Sequence, residues 1–382
     1  MKMIASYDPT KIQDYIAAFD PEALIRQSLR RLSYSKITSY TKRCRRRYFF
    51  QRVLRIKIPD ESYFYLGERV HAHCQRFWEV DYQDAESFAN QFVIHFLQRQ
   101  KDPLKSGRNP GFFRSKQEFW ASLNRGKSHV RNFYDMRIQE KREHNPRLIE
   151  MPIKGEYKGH KFEARLDEIS LKDGKRRIID IKTIRHPPKD REAANFSGSE
   201  QYPLYVILTK QWLLTSDPER TLEERRRKVA EEYKTPKVRD KHLEEVARMM
   251  DSLKVIRQHT GPSTFELIFP ENSLQADIDI TAEAEAALSD TLDAFLKGIN
   301  SRDFPRKPLT GRFNCHNDCL YFDLCRTFDD TQDTRKELSR LVEQGIIIVS
   351  SRKRAPKPGE PLTYIQAQHE PLFLGQDSIV AE

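Results

Sequence analysis

The stretch Phe162–Lys182 constrains this chain more than any other. It runs Phe-Glu-Ala-Arg-Leu-Asp-Glu-Ile-Ser-Leu-Lys-Asp-Gly-Lys-Arg-Arg-Ile-Ile-Asp-Ile-Lys, two alternating apolar runs broken by Asp173-Gly174. An Asp-Gly pair there predicts a two-residue hairpin, because a type I′ turn needs positive φ at both central residues. With those residues as the loop, Lys172 pairs with Lys175, and counting outward sets Asp167 opposite Asp180. Directly opposed Cβ atoms lie about 4.5–5.5 Å apart. On the second strand Asp180 and Lys182 share a face, while Ile179 and Ile181 point the other way. Two carboxylates that close repel each other, which raises a pKa or recruits a cation. A hard divalent ion takes such oxygens readily, and a neighbouring lysine can orient the water it activates. The pattern implies metal-assisted phosphodiester hydrolysis. Asp-X-Lys by itself recurs by chance on wet hairpin faces, so the company this hairpin keeps decides its meaning.

That company is ordered. Upstream stands Gly67-Glu68-Arg69-Val70-His71, and downstream stands Gln201-Tyr202-Pro203-Leu204-Tyr205. One cysteine, Cys44, precedes the histidine, and Cys315, Cys319 and Cys325 follow near the C-terminus. Over roughly residues 33–326 this set resembles the PD-(D/E)XK nuclease superfamily in its RecB-like branch, and in particular the iron–sulfur exonucleases of recombination and CRISPR adaptation. Asp167 matches the first acidic motif, Asp180-Ile181-Lys182 the (D/E)-X-K motif. Two departures stand out: Ala164 where the family usually has glycine, and C-x3-C-x5-C spacing where C-x2-C-x5-C is commoner.

The resemblance implies an α/β fold: a restriction-endonuclease-like core, a mixed central sheet flanked by helices, with an N-terminal helical region and a C-terminal cysteine cluster. It implies that His71, Asp167, Asp180 and the Ile181 carbonyl ligate Mg²⁺ or Mn²⁺. Lys182 would hold the attacking water and offset charge on the phosphate. Gln201 and Tyr205, at i and i+4 of a helix, share one face and would orient the lysine or touch the DNA backbone. Core packing is the competing reading for Tyr205, which sits among Leu204, Val206, Ile207 and Leu208; a hydrogen-bonded, packed histidine is the competing reading for His71. Cys44, Cys315, Cys319 and Cys325 would hold a [4Fe–4S] cluster, with zinc as the alternative because four thiolates suit either and His316 could substitute. In either case the cluster clamps the N-terminal arm to the C-terminus across more than two hundred residues. Cys74, three residues after His71, reads as packing.

Five cysteines in 382 residues, with no signal peptide or membrane-length apolar stretch, fit a reducing, cytoplasmic setting (the host cytoplasm for a phage protein) rather than a disulfide framework. Charge points to the partner. Lys and Arg number 67 against 56 Asp and Glu, a formal +11. From Ala23 to Pro59 there are twelve basic residues and no acid, and Lys42–Arg47 runs straight into Tyr48-Phe49-Phe50. Basic residues beside aromatics suit single-stranded DNA, whose phosphates meet the charges while its bases stack; a solvated helix face is the competing reading, and the aromatic interleaving with the cysteine at its centre favours DNA contact. DNA, as single strands or ends, is the expected substrate, with a helicase or recombination partner and no membrane role. The alternative function is a non-catalytic clamp subunit that holds DNA for a larger complex. No G-x-x-x-x-G-K-[ST] phosphate loop is present, so no ATP site accompanies the nuclease pattern.

The chain reads as an N-terminal arm and helical region over 1–145 carrying Cys44 and His71, a nuclease core over 146–215, a helical insertion over 216–260, core completion with the cysteines over 261–326, and a tail over 327–382. Ser35 is expected to cap a helix in the arm. Strands are expected at about Ile149–Tyr157, Thr264–Phe269 and Ala276–Ile280. Thr281 is expected to cap a helix with Leu288, Leu292, Phe295, Leu296 and Ile299 on one face. The charged run Glu223–Lys228 reads as a solvated face, with contact to DNA or a partner as the other reading.

Overall fold

The Asp-Gly hairpin forms with the register its turn demands. Asp173 and Gly174 have φ of 51° and 67°, and Lys172 pairs with Lys175. The computed structural model describes residues 20–54, 56–57, 60–101, 111–113, 115–183, 199–232, 235–259, 261, 263–305, 319, 321–329, 333–343, 347–349 and 364–366. Among them the hairpin strands, β5 (His160–Lys172) and β6 (Lys175–Ile181), lie at the centre of a five-stranded sheet. Its order is β4 (Arg147–Tyr157), β5, β6, β7 (Ser263–Phe269), β8 (Leu274–Ile278). Only the β6–β7 pair is parallel. A parallel pair needs a long crossover, and the chain between β6 and β7 supplies it with helices Gln201–Leu213, Asp217–Glu232 and Pro236–Gln258. This is the mixed sheet flanked by helices that the sequence implied.

The chain divides into two compact units. One holds Asp60–Leu288; the other joins the chain up to Pro59 with Ser289–Pro371. In the first, one sheet face buries Ile179, Ile181 and Ile268 against Val70, Phe77, Phe92 and Phe133 of the helices Ser62–Glu79, Ala85–Lys101 and Lys116–Arg142. On the opposite face Tyr202 of the Gln201–Leu213 helix stacks near Phe265 of β7, ring centroids 4.4 Å apart. The two following helices bury Leu222, Val229, Val246, Met249 and Ile256, and Arg225 donates to the Ile149 carbonyl of β4 at 3.0 Å. Within Glu223–Lys228 every residue but Arg225 is exposed, a solvated face.

The second unit is an aromatic core. Phe295 sets its ring edge-on to Tyr40 and Tyr48, and Phe50 stacks on Tyr321. Tyr40 donates to the Asp303 carbonyl at 2.7 Å, and Arg45 pairs with the Asp303 carboxylate. Strand β9 (Ile347–Val349) pairs with β10 (Tyr364–Gln366), which pairs with β1 (Ile56–Lys57). Two expectations change here. Ser33, not Ser35, caps the helix Tyr34–Thr38, since its hydroxyl reaches the Lys36 amide. Tyr48, Phe49 and Phe50 are buried, and Arg46 is buried over the Phe49 and Phe50 rings, so these aromatics fill a core rather than offer faces to bases. Thr281 caps the helix Ala282–Asn300 as expected, through the Ala284 amide. His186-Pro187-Pro188, expected from its prolines to stop the second hairpin strand, and the Pro/Lys-rich run Arg352–Pro361 lie outside the described residues.

A buried ionic network backs the hairpin. Arg137 reaches Glu168 at 2.8 Å and Glu140 at 2.9 Å, and Arg177 reaches Glu140 at 2.8 Å and Glu266 at 2.9 Å. Burial alone would raise the Glu140 carboxyl, but Arg177, Arg137 and Lys172 outweigh it and bring it from 4.5 to about 2. Removing one member of such a network leaves an unpaired buried charge, costing about 3 kcal/mol or more. Glu140→Gln should therefore lower stability by about 3 kcal/mol at neutral pH, read by denaturant unfolding. A depressed folded pKa gives stabilisation that is complete above about 4.5 and lost as pH falls through about 2. The gap between wild type and variant should close over that window; a gap independent of pH would refute the network's role.

Candidate active site

The hairpin register, carried one step past its last ladder pair of Glu168 with Ile179, stands Asp167 across from Asp180. Asp167 is locked there by its neighbour strand, because the Ile181 amide donates to its Oδ2 at 2.7 Å. Its other oxygen, Oδ1, meets His71 Nδ1 at 3.2 Å. His71 comes from the helix Ser62–Glu79, and Gly67, one turn earlier, explains how that helix comes so near. A Cβ on Gly67 would stand 2.9 Å from Thr183 Oγ1, so any larger residue would have to push that hydroxyl aside. Glycine inside a helix costs about 1 kcal/mol relative to alanine, and the close approach is what it secures.

A residue not anticipated from the sequence completes the cluster. Glu150, His71 and Asp167 each offer a ligand atom, all within 4.8 Å of one another. The β4–β5 ladder pairs Ile149 with Glu168 and Met151 with Leu166 but steps over Glu150, which faces Asp167 with φ of 53°. A left-handed backbone at a non-glycine residue within a strand is strained. The visible signal was a lone acid between Ile149 and Met151 in an otherwise apolar strand opening.

Asp180 sits beside this triad and is held to the lysine. Lys182 Nζ lies 2.5 Å from Asp180 Oδ2 in an ion pair and donates to Gln201 Oε1 at 3.2 Å. That ammonium is the partner of the buried Asp180 Oδ2. Lys182 is fixed at its backbone too, its amide donating to the Ile268 carbonyl at 2.8 Å. Tyr205 falls on the same helix face as Gln201, half-buried, whereas Tyr202 and Leu204 take the fully buried positions. The Tyr205 ring also lies 6.4 Å from that of Phe265. Cys74 is buried in the helical core behind His71. Cys44, Cys319 and Cys325 all fall in the second unit, where Cys44 caps the helix Arg45–Tyr48 through the Arg47 amide; Cys315 lies outside the described residues.

The electrostatics follow from crowding. Burial and the Asp167 charge push the Glu150 carboxyl up to about 7. Burial works against Asp167 ionising, but the His71 charge and hydrogen bond and the Ile181 amide hold its pKa below the usual range. Burial would lower His71, yet Asp167, Asp180 and Glu150 together raise it to about 9. Burial, with Asp167 opposing Lys182, lifts Asp180 above its usual value. Burial would lower Lys182, and Asp180 reverses that, so the ammonium stays charged. Burial and the Asp180 charge raise the Tyr205 phenol, which keeps its proton.

The donor set fits a hard divalent cation. Two carboxylates and one imidazole converge, with the Asp180–Lys182 pair beside them. Oxygen-rich sets of this kind select Mg²⁺ or Mn²⁺ over softer metals.

Comparison with protein families bears on this arrangement directly. The family model for the PD-(D/E)XK nuclease superfamily matches residues 31–326. The chain belongs to that superfamily. Its members are nucleases that typically work with Mg²⁺ or Mn²⁺. A search of curated proteins finds no match. No helix among the described residues is long and apolar enough to cross a membrane.

Strain and crowding at Glu150 can be separated from any part it has in holding a cation. Glu150→Gly relieves the left-handed backbone and the repulsion from Asp167, so it should raise stability by about 1 kcal/mol. The same variant should weaken Mn²⁺ binding measured by calorimetry. A variant that loses stability and keeps full Mn²⁺ affinity would show that Glu150 is structural.

Proposed function

We propose that this nuclease is a metal-dependent DNA exonuclease acting on single strands and DNA ends. The observation that carries the reading is the convergence of Glu150, Asp167 and His71 beside an Asp180–Lys182 pair at one end of the central strands. Those residues, with the Ile181 carbonyl, would hold the cation. A bound Mg²⁺ or Mn²⁺ supplies charge neutralisation on the phosphate and an activated water. Lys182 remains an ammonium beside Asp180, and Gln201 fixes its direction, so it can hold the water and face charge developing on the phosphate. Tyr205 keeps its proton and can donate to the DNA backbone. No step needs Lys182 to act as a base.

Exposed aromatics on the His71 helix support single strands as substrate. Tyr63 and Phe64 are 49% and 39% exposed, with ring centroids 4.2 Å apart. Phe64, Gly67 and His71 follow i, i+3, i+7 spacing and share one helix face. Seven residues of helix put the rings about 10 Å from His71. Unpaired bases can stack on such rings, whereas paired bases keep their faces inside the duplex. The basic arm over residues 26–57 supports binding to a polyanion.

In the second unit, Cys44, Cys319 and Cys325, together with Cys315, make the reading a [4Fe–4S] clamp, with zinc as the alternative. Repair, recombination, phage replication and CRISPR adaptation all use end-trimming nucleases, and a helicase partner fits a chain without an ATP site.

Degradation of 5′- and 3′-labelled single- and double-stranded DNA, with Mn²⁺, Mg²⁺ or EDTA, tests the reading. Wild type should degrade single strands only with metal, progressively from one labelled end. Lys182→Ala should lose about 10²–10³-fold in rate. Tyr63→Ala with Phe64→Ala should raise KM for single strands about tenfold and leave duplex ends unchanged. Binding without cleavage by anaerobically purified protein would favour the clamp-subunit reading. Cys44→Ser should abolish visible iron–sulfur absorption; a colourless wild type with stoichiometric zinc would replace the cluster with zinc.

A further inference from the structure

We propose that Arg165 is the phosphate anchor that seats the nucleotide next to the scissile phosphate, an inference that rests on the nuclease reading above. Arg165 lies on β5 two residues before Asp167, so strand alternation puts both on the same face of the sheet, about 7 Å apart along the strand. Leu166 between them points the other way and is buried. A separation of that size is comparable to the distance between neighbouring phosphates of an extended strand.

The exposures separate two tasks. The Asp167 and Glu150 side chains are each 13% exposed, but that of Arg165 is 68% exposed. The guanidinium thus stands at the rim while the carboxylates sit below it. Its contact with the site is a single long one, Nη1 to Glu150 Oε2 at 3.5 Å. A guanidinium carries five donors, and this contact occupies one of them at the outer limit of hydrogen bonding. The remaining fork suits a bidentate grip on a phosphate.

The charge balance calls for such a group. Glu150, Asp167 and Asp180 repel a DNA backbone that must come within reach of them. His71 is committed to Asp167, and Lys182 to Asp180 and Gln201. Among the described residues, Arg165 is a cation on the same strand face that is both adjacent to the carboxylates and open to solvent. Its contact with Glu150 keeps the guanidinium beside the carboxylates.

Binding of a 5′-fluorescein single-stranded oligonucleotide, with Ca²⁺ in place of Mg²⁺ and across a salt series, tests the anchor. Arg165→Ala should weaken binding about tenfold at low salt and reduce the slope of log K against log salt by about 0.7, one phosphate contact on a single strand. Arg165→Lys should keep the slope and bind more weakly than wild type, because an ammonium is a point charge without the fork. In steady-state cleavage with Mg²⁺, KM should rise more than kcat falls. Glu150→Gln serves as the second variant: it should shift the Mg²⁺ requirement and leave the salt slope alone. An Arg165→Ala protein with the wild-type slope and a raised Mg²⁺ requirement would overturn the anchor, since Arg165 would then only steady Glu150. A wild type that neither binds nor cleaves DNA would instead sink the nuclease reading, and the anchor with it.

Discussion

Carboxylate repulsion is the constraint around which this molecule is arranged. Glu150, Asp167 and Asp180 are brought together in a half-buried place, where each charge resists the next. Three kinds of counterweight hold them there. His71 and Lys182 supply positive charge from a helix and from the strand end. The Ile181 amide, which would otherwise continue a ladder, is given to Asp167 instead. Behind the sheet, Arg137, Arg147 and Arg177 are interlaced with Glu140, Glu168 and Glu266, and Glu168 adjoins Asp167 on the opposite face. A strand pinned on one face by buried ion pairs cannot slide by a residue without breaking them. A one-residue slip would also turn Asp167 into the core. The network therefore holds the site's register as well as contributing to stability.

The central hairpin was legible because its rules are local. Asp173-Gly174 specifies a turn type, the turn specifies a register, and the register delivers Asp167 to Asp180 without reference to the rest of the fold. The Thr281 cap and the stripe after it were legible for the same reason. Glu150 was not, because its importance depends on which residue of β5 faces it and on a backbone angle that glutamate does not advertise. The aromatic run Tyr48-Phe49-Phe50 misled for the opposite reason. Basic and aromatic residues in alternation describe a nucleic-acid surface and an arginine-capped core equally well. Only the rings of Phe295, Phe304, Tyr321 and Phe328 closing on the run distinguish the two. Tyr63 and Phe64, with no basic run to mark them, carry the exposed faces instead.

The second unit shows what a cysteine cluster would and would not contribute. The N-terminal arm and the region after Ser289 already share an aromatic core, the Tyr40–Asp303 hydrogen bond and the Arg45–Asp303 pair. Cys44 sits within that core and caps the short helix Arg45–Tyr48. A four-thiolate cluster would then act on a pairing that packing has already specified. Its effect would fall mainly on the unfolded chain, whose two ends it would keep together, and closing so long a loop removes more freedom than closing a short one. Loss of the cluster should then loosen this unit before it alters the geometry around Asp167, because the ion pairs and hydrogen bonds that fix Asp167 all come from residues between His71 and Glu266.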